Sequence, residues 1–377
     1  MSNAGLEGIV VAETKLSAID GEKGELIYGG YDIDDLARNT TFEEVIHLLW
    51  EGELPNEGQL RELRAKLAAE RPLKGEVIDL LRSFPTDADP MVVLRTMVSA
   101  LAAFDPEADD ISEPALRRIA LRITASMPTI AAAFDRIRHG NEPVEPRADL
   151  DTAANFLYML NGEPSSDLRA RTMDAALILH AEHGMNASTF SARVTAGTSS
   201  DMYSCVVSAI GTLKGPAHGG ANMAVMRMLR EIDESGEGPE SWVPAALEAK
   251  RRVMGFGHRV YKAVDPRATI LRELADQIMA EAAETRWLDL SDRIRQVMAE
   301  EMERRGKKIY PNVDFFSASV YTTLGIQTDQ FTPIFAIARV PGWTAHLFEQ
   351  FANNRLIRPK ADYTGPRGLR VKPIGER

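Results

Sequence analysis

Three short stretches carry residues whose types and spacing could do acid–base chemistry. The first is Gly211 to Met223, GTLKGPAHGGANM, where His218 sits in a glycine-rich loop opening into a helical run. Glycines let the backbone turn tightly and approach a ligand closely. A helix start behind them supplies free N–H groups and a positive dipole end, which favours a neutral imidazole able to donate one hydrogen bond. The second, Gly255-Phe256-Gly257-His258-Arg259-Val260-Tyr261, puts another histidine in a glycine turn. The third, Tyr310-Pro311-Asn312-Val313-Asp314-Phe315-Phe316, sets a carboxylate between apolar neighbours at a helix start. Asp314 could be only an N-cap; buried near a ligand, desolvation would raise its pKa toward that of a useful general base.

Isolated cations accompany them. Asp265-Pro266-Arg267 reads as an N-cap, an N1 proline and a first-turn arginine. A cation there opposes the helix dipole, which makes sense if Arg267 and the helix end both face an anion. Arg339 lies in the apolar segment FAIARVPGW. Its guanidinium must be answered by a buried Asp or Glu or by a substrate carboxylate. His180 and His183, in LILHAEH, are three apart at the end of a helical run and could share one face. They read either as a metal-ligand pair with Glu182 beside them or as packed histidines, and no third ligand follows at a familiar spacing. Arg358, in LIRPKADYTG, says nothing by itself. Two neutral histidines and one carboxylate suit enolisation of a carbonyl compound, and arginines suit a di- or tricarboxylate. A nucleophile elbow, a phosphate P-loop and a clear metal set are all missing from the motifs.

The elements that must position these groups are helices. Thr41 and Glu44 have capping-box spacing, Asn56 can cap a helix striped by Leu60, Leu63 and Leu67, and Val77 to Phe84 forms another stopped at Pro85. Helical patterns recur at 90–104, 114–138, 151–160, 167–183, 200–210, 242–254, 265–285, 291–305, 315–325 and 333–352, while 5–35 suggests short strands or a small hairpin. Polar breaks fall at 139–150 and 232–241, and 355–377 reads as an extended basic tail. The fold class expected is all-α, with short N-terminal strands.

The chain has 377 residues, 44% of them hydrophobic and 26% charged, with a net charge of −11. An excess of acid argues against nucleic acid as a general partner, and an anionic substrate would need a local basic cluster. One cysteine, Cys205, allows no intramolecular disulfide and reads as a small core hydrophobe. No apolar run reaches transmembrane length and no signal-type segment opens the chain. No membrane partner is expected, and the location expected is cytoplasmic.

The motifs GPAHGGAN, MGFGHRVYKAVDPRA, YPNVDFFSASVYTTLGI, ARVPGWTAHLFEQFANNRLIRPKADYTG and LHAEHGMNAS, in this order of roles, resemble citrate synthase, and the opening GLEGIVVAETKLSAIDGEKGELIYGGY extends the likeness over nearly the whole chain. The resemblance implies a two-domain helical fold: residues 1–215 begin a large domain, 216–324 form a small mobile catalytic domain, and 325–377 return to the large domain and add a tail. It implies that Asp314 removes a proton from acetyl-CoA, that His218 stabilises the enol, and that His258 polarises and then protonates the ketone of oxaloacetate. His183 would help hold oxaloacetate, and Arg267 and Arg339 would bind carboxylates. Arg358 matches an arginine that reaches the neighbouring subunit's site, which implies a homodimer. Arg259, Lys262 and Lys308, basic and flanking the motifs, are candidates for the coenzyme A phosphates. No cofactor and no metal are implied. The length looks like the short form of the family, without the extra N-terminal domain of longer bacterial enzymes that respond to NADH, so no such regulation is expected. The nearest competing reading is a 2-methylcitrate synthase, on the same fold with propionyl-CoA. A metal-dependent hydrolase built on His180, Glu182 and His183, or a helical scaffold without chemistry, are the readings from other classes.

Overall fold

A computed structural model describes residues 4–6, 8–258, 260–282 and 285–377. Its only sheet among these residues is a small antiparallel one of β1 (Ser17–Asp20), β2 (Glu25–Tyr28) and β3 (Tyr31–Asp32), with Ser17 opposite Tyr28 and Tyr28 opposite Tyr31. Asp20 closes the first turn by accepting from the amides of Glu22 and Lys23. Among the described residues, every named element after the sheet is a helix.

The first group of helices is α1 (Ile33–Asn39), α2 (Phe42–Glu51), α3 (Glu57–Glu70), α4 (Gly75–Arg82), α5 (Pro90–Leu101), α6 (Glu113–Arg138), α7 (Thr152–Asn161), α8 (Asp167–His180), α9 (Ala187–Ala196) and α10 (Met202–Leu213). The sequence signals operate as expected at several starts. Thr41 and Glu44 form a capping box, and Asn56 accepts from the amide of Gln59. Two helices escaped the periodicity. α1 is a single short run after the sheet, capped by Asp32. α9, ASTFSARVTA, carries Ser and Thr where apolar residues would announce a helix, and Asn186 caps it. The run expected over 167–183 ends at His180, so His180 and His183 do not share a helix face. Glu182 explains the stop: its carboxylate accepts from the Ser17 hydroxyl at 3.0 Å, the Gly184 amide and His346, an arrangement that a continued helix could not offer.

The second group is α11 (Ala221–Ser235), α12 (Pro239–Glu248), α13 (Pro266–Ala282), α14 (Arg286–Arg304) and α15 (Val313–Thr323), which pack on one another: α15 lies against α11, α13 and α14, and α12 against α14. Residues expected to continue α12 to 254 instead form irregular backbone, described over 249–258 and 260–265, that carries His258. The chain then returns in α16 (Phe331–Ala352), packed against α2, α6, α8, α9 and α10 and buried over most of its length. Residues 353–373 follow without helix or strand. Cys205 is fully buried in α10. No helix among the described residues is long and apolar enough to cross a membrane.

Candidate active site

Backbone, rather than side chains, brings His258 and Asp314 together. Phe256 and Pro311 form an isolated antiparallel bridge; the Gly257 amide donates to the Tyr310 carbonyl, and the Asn312 amide to the Gly255 carbonyl, both at 2.9 Å. Gly255 has φ +79°, and a Cβ there would stand 2.8 Å from the side chains of Phe315 and Val225, so the close approach needs glycine. Asn312 caps α15 by accepting from the Asp314 amide, while its own amide group donates to the Gly257 carbonyl. Asp265 adds a second tie: its carboxylate accepts from the Val313 amide at 3.1 Å and grips Arg267 through two hydrogen bonds of 3.0 and 2.8 Å.

Arg267 is therefore answered inside the protein, by Asp265, and not by the helix end alone. Burial works against its charge, but Asp265 outweighs that and holds the guanidinium more firmly protonated than usual. Arg339 is buried to 1% exposure. Its Nε donates to the His180 carbonyl at 2.6 Å, its guanidinium lies 5.0 Å from the Phe335 ring, and it makes no salt bridge within 4.0 Å to a described carboxylate. Glu182 is its largest source of negative field; burial opposes ionisation of Glu182, but His346, Arg339 and Ser17 outweigh it and keep the carboxyl below its ordinary value.

The two loop histidines are held as opposite tautomers. Nε2 of His218 faces the Ser188 amide at 3.3 Å and the Ser188 hydroxyl at 2.8 Å, so it accepts and the proton sits on Nδ1. The indole N–H of Trp343 donates to the same hydroxyl at 3.1 Å and fixes it. Nδ1 of His258 accepts from the amides of Val260 and Tyr261, at 3.1 and 3.2 Å, so its proton sits on Nε2. Burial first, then Arg339, lowers His218 to about 4, and burial with Arg267 does the same for His258.

His183 lies in the loop after α8, its ring 5.3 Å from that of His258, and its buried Nε2 has no hydrogen-bond partner. Burial, Arg267, Arg339 and His258 all keep it neutral. Asp314 is half-buried, with one carboxylate oxygen unpartnered, and burial reinforced by Asp265 lifts it to about 6 against the pull of Arg267 and Arg339. The charge of Arg267 is thus felt at His183, His258 and Asp314, and that of Arg339 at His183, His218 and Asp314. Four titratable groups distant in sequence thus sit in the field of two buried arginines. His180 belongs to the core: it is fully buried, Nδ1 donates to the Ala176 carbonyl, and its ring meets Phe335 edge-on. No group of three or more His, Cys, Asp or Glu is placed to hold a metal among the described residues.

Beside the bridge lies a cavity of about 850 Å³, with Phe256, Val264, Met302, Ile309 and Phe316 on its apolar wall and Lys307 and Lys308 among its lining. Lys262 is exposed outside that lining; its amide donates to the Gly21 carbonyl at 2.8 Å. Arg259 lies outside the described residues. Arg358 is exposed on the C-terminal segment, away from this assembly. Sequence reasoning missed Ser188, Trp343, Asn312 and Lys307, and took Asp265 only as a cap. An Asn two residues before Ser188 and before Asp314 was the available signal, since each marks a helix start that presents backbone donors.

Residues 5–360 match the family model described as citrate synthase, C-terminal domain. The chain is 51% identical to the citrate synthase of Haloferax volcanii, over 99% of this chain and 98% of that one. It is 42% identical to a 2-methylcitrate synthase of Shewanella oneidensis, over 100% and 98%. Among solved structures, citrate synthase from Pyrobaculum aerophilum superposes with a TM-score of 0.93 at 40% identity, covering 99% of this chain and 95% of that one. A ternary complex of the Thermoplasma acidophilum enzyme with carboxymethyl coenzyme A and oxaloacetate does so with 0.92 at 33%, covering 100% of both.

Proposed function

Because this chain belongs to the citrate synthase family, we propose that it condenses acetyl-CoA with oxaloacetate and water to give citrate and CoA. Asp314 takes a proton from the thioester methyl. The thioester oxygen gains charge as that proton leaves and receives a hydrogen bond from Nδ1–H of His218. The enol carbon attacks the ketone of oxaloacetate, whose oxygen receives the Nε2 proton of His258. Water then cleaves the thioester and frees CoA. One well-placed donor to a developing oxyanion is worth roughly 10²–10³ in rate, and each acid–base group about 10²–10⁴.

The observation that carries this reading is the opposed pair of tautomers beside a carboxylate raised to about 6. A neutral N–H faces away from each anchoring contact, and no described protein group accepts it. The test is release of free thiol from acetyl-CoA. Thiol should form only when oxaloacetate is present, and Asp314→Asn should remove turnover while oxaloacetate still binds. No thiol release by the purified protein would end the proposal, and loss of oxaloacetate binding in Asp314→Asn would contradict the role given to Asp314.

His183, Arg267 and Arg339 suit the two carboxylates and carbonyl of oxaloacetate, and the cavity lined by Lys307 and Lys308 suits the coenzyme A chain and its phosphates. Residues 216–324, whose helices pack chiefly on one another, would close over the remainder to shut out water. A homodimer fits the C-terminal segment: Leu356, Tyr363, Leu369, Val371 and Ile374 are exposed there at 56% or more, and Arg358 lies among them. A second subunit would cover these side chains and receive Arg358 in its own site. A cytoplasmic location belongs to the same proposal.

The second reading, propionyl-CoA as the acyl donor, is favoured by the relatives named 2-methylcitrate synthase. One methylene discriminates by only about 1–3 kcal/mol. Competing acetyl- and propionyl-CoA in one thiol-release assay decides between them.

A further inference from the structure

A second cleft, of about 340 Å³, opens where the C-terminal end of α6 meets α11 and the turn at Gln327–Asp329. It is polar where the cavity beside the Phe256–Pro311 bridge is apolar, and it gathers cations. Arg227 and Arg230 stand three apart on α11, so they share a face. Both are exposed, and neither makes a hydrogen bond or ion pair with another described residue.

Arg138 faces them from α6, with its guanidinium held by Asp135 at 2.7 Å and by Asp329 at 2.8 Å. His139 follows it, with Nδ1 donating to the Asp135 carbonyl at 2.7 Å. Thr328 completes the wall, and its buried hydroxyl has no partner. Asp135 and Asp329 both answer Arg138, so Arg227 and Arg230 leave the cleft with a net positive charge within a protein of net charge −11. A concave cationic site of this kind focuses field and concentrates anions. Two free guanidinium forks on one helix match oxygen pairs on adjacent tetrahedral phosphoryl groups, and a cavity of this volume admits a small ligand.

We propose that this cleft is a second binding site, separate from the reaction site, for a diphosphate group, read chiefly by Arg227 and Arg230. Its position gives occupancy a consequence. α11 continues directly from the loop of His218, and the turn at Gln327–Asp329 follows the helix that carries Asp314. A diphosphate bridging α11 to α6 would restrain the movement of residues 216–324, and this coupling, unlike the binding, rests on the domain closure proposed above.

The experiment titrates pyrophosphate, and separately ADP, into the full chain by calorimetry. It compares the native protein with Arg227→Gln/Arg230→Gln and with Lys307→Gln/Lys308→Gln. Pyrophosphate should bind at one site per chain, roughly ten-fold or more weaker in the arginine double variant and unchanged in the lysine variant. ADP bound as tightly, with the same arginine dependence, assigns a nucleotide as the source of the group; weaker ADP binding assigns the free anion. No binding at millimolar pyrophosphate, binding indifferent to the arginines, or binding lost with the lysines each overturns the site. Both arginines are exposed, so the double variant should melt at the native temperature. Its thiol release without pyrophosphate should equal that of the native protein, which separates failure of this site from failure of the proposed reaction.

Discussion

Asp314 can serve as a base only while ionised, and its surroundings decide when that is. Burial raises its pKa to about 6, whereas the same forces depress His218 and His258 to about 4. The sign follows. As pH falls through 6 the carboxylate gains a proton and activity declines, while both imidazoles stay neutral. kcat/KM measured from pH 4.5 to 8 should therefore rise with a single inflection near 6 and then level; a profile nearly flat down to pH 4.5, as an aspartate in its usual range gives, would refute the burial argument. Asp314→Asn should lower kcat by roughly 10²–10⁴. Ser188 acts one step further out. Ser188→Ala keeps the amide that faces His218 but leaves the Trp343 N–H without its acceptor. Stability in urea should fall by about 1–3 kcal/mol, and kcat should fall with little change in KM for oxaloacetate.

Among the elements, the hairpin between β1 and β2 reaches furthest. The Gly21 carbonyl accepts from the Lys262 amide, and a Cβ at Gly21 would lie 2.2 Å from the Val260 carbonyl. Gly21→Ala should displace the 258–264 loop. A shift of the order of 1 Å at a reacting group can cost about 10² in rate, so kcat should drop sharply while thermal stability changes little. Steady-state kinetics beside a melting curve separates the two effects. Nothing in the sequence announced this contact, because it joins two turns that are 240 residues apart and both look like ordinary loops. Local signals fared better. The box at Thr41, the cap at Asn56 and the proline-marked start of α13 were legible, since caps are read from neighbours alone. α9 was not, because its buried Ser188, Thr189 and Arg193 make polar contacts that only the folded chain supplies. His218, His258 and Asp314 were legible as chemistry for a related reason: glycine turns and an acid among aromatics break local rules. Their partners Ser188, Asp265 and Trp343 obey those rules and stayed hidden.

Across the whole molecule, the proposed dimer makes a prediction that a single subunit cannot satisfy. Asp314→Asn and Arg358→Gln should each be nearly inactive alone. If Arg358 works in the neighbouring site, a mixed dimer carries one doubly altered site and one intact site. Co-refolding the two variants in equal amounts should then restore about a quarter of native turnover, as random pairing requires. No recovery in a mixture shown by sedimentation to contain mixed dimers would place Arg358 in its own subunit's chemistry or in none.

The link between the Phe256 and Pro311 strands has a practical corollary. It is made by main-chain amides and carbonyls, so the spacing between proton donor and proton acceptor does not depend on which side chains occupy those positions. Phe256, Tyr310 and Pro311 nevertheless line the large cavity. Tyr310 can therefore be varied to reshape that cavity while the main-chain bonds still set the spacing, whereas Phe256 also packs on Phe315, beside Asp314.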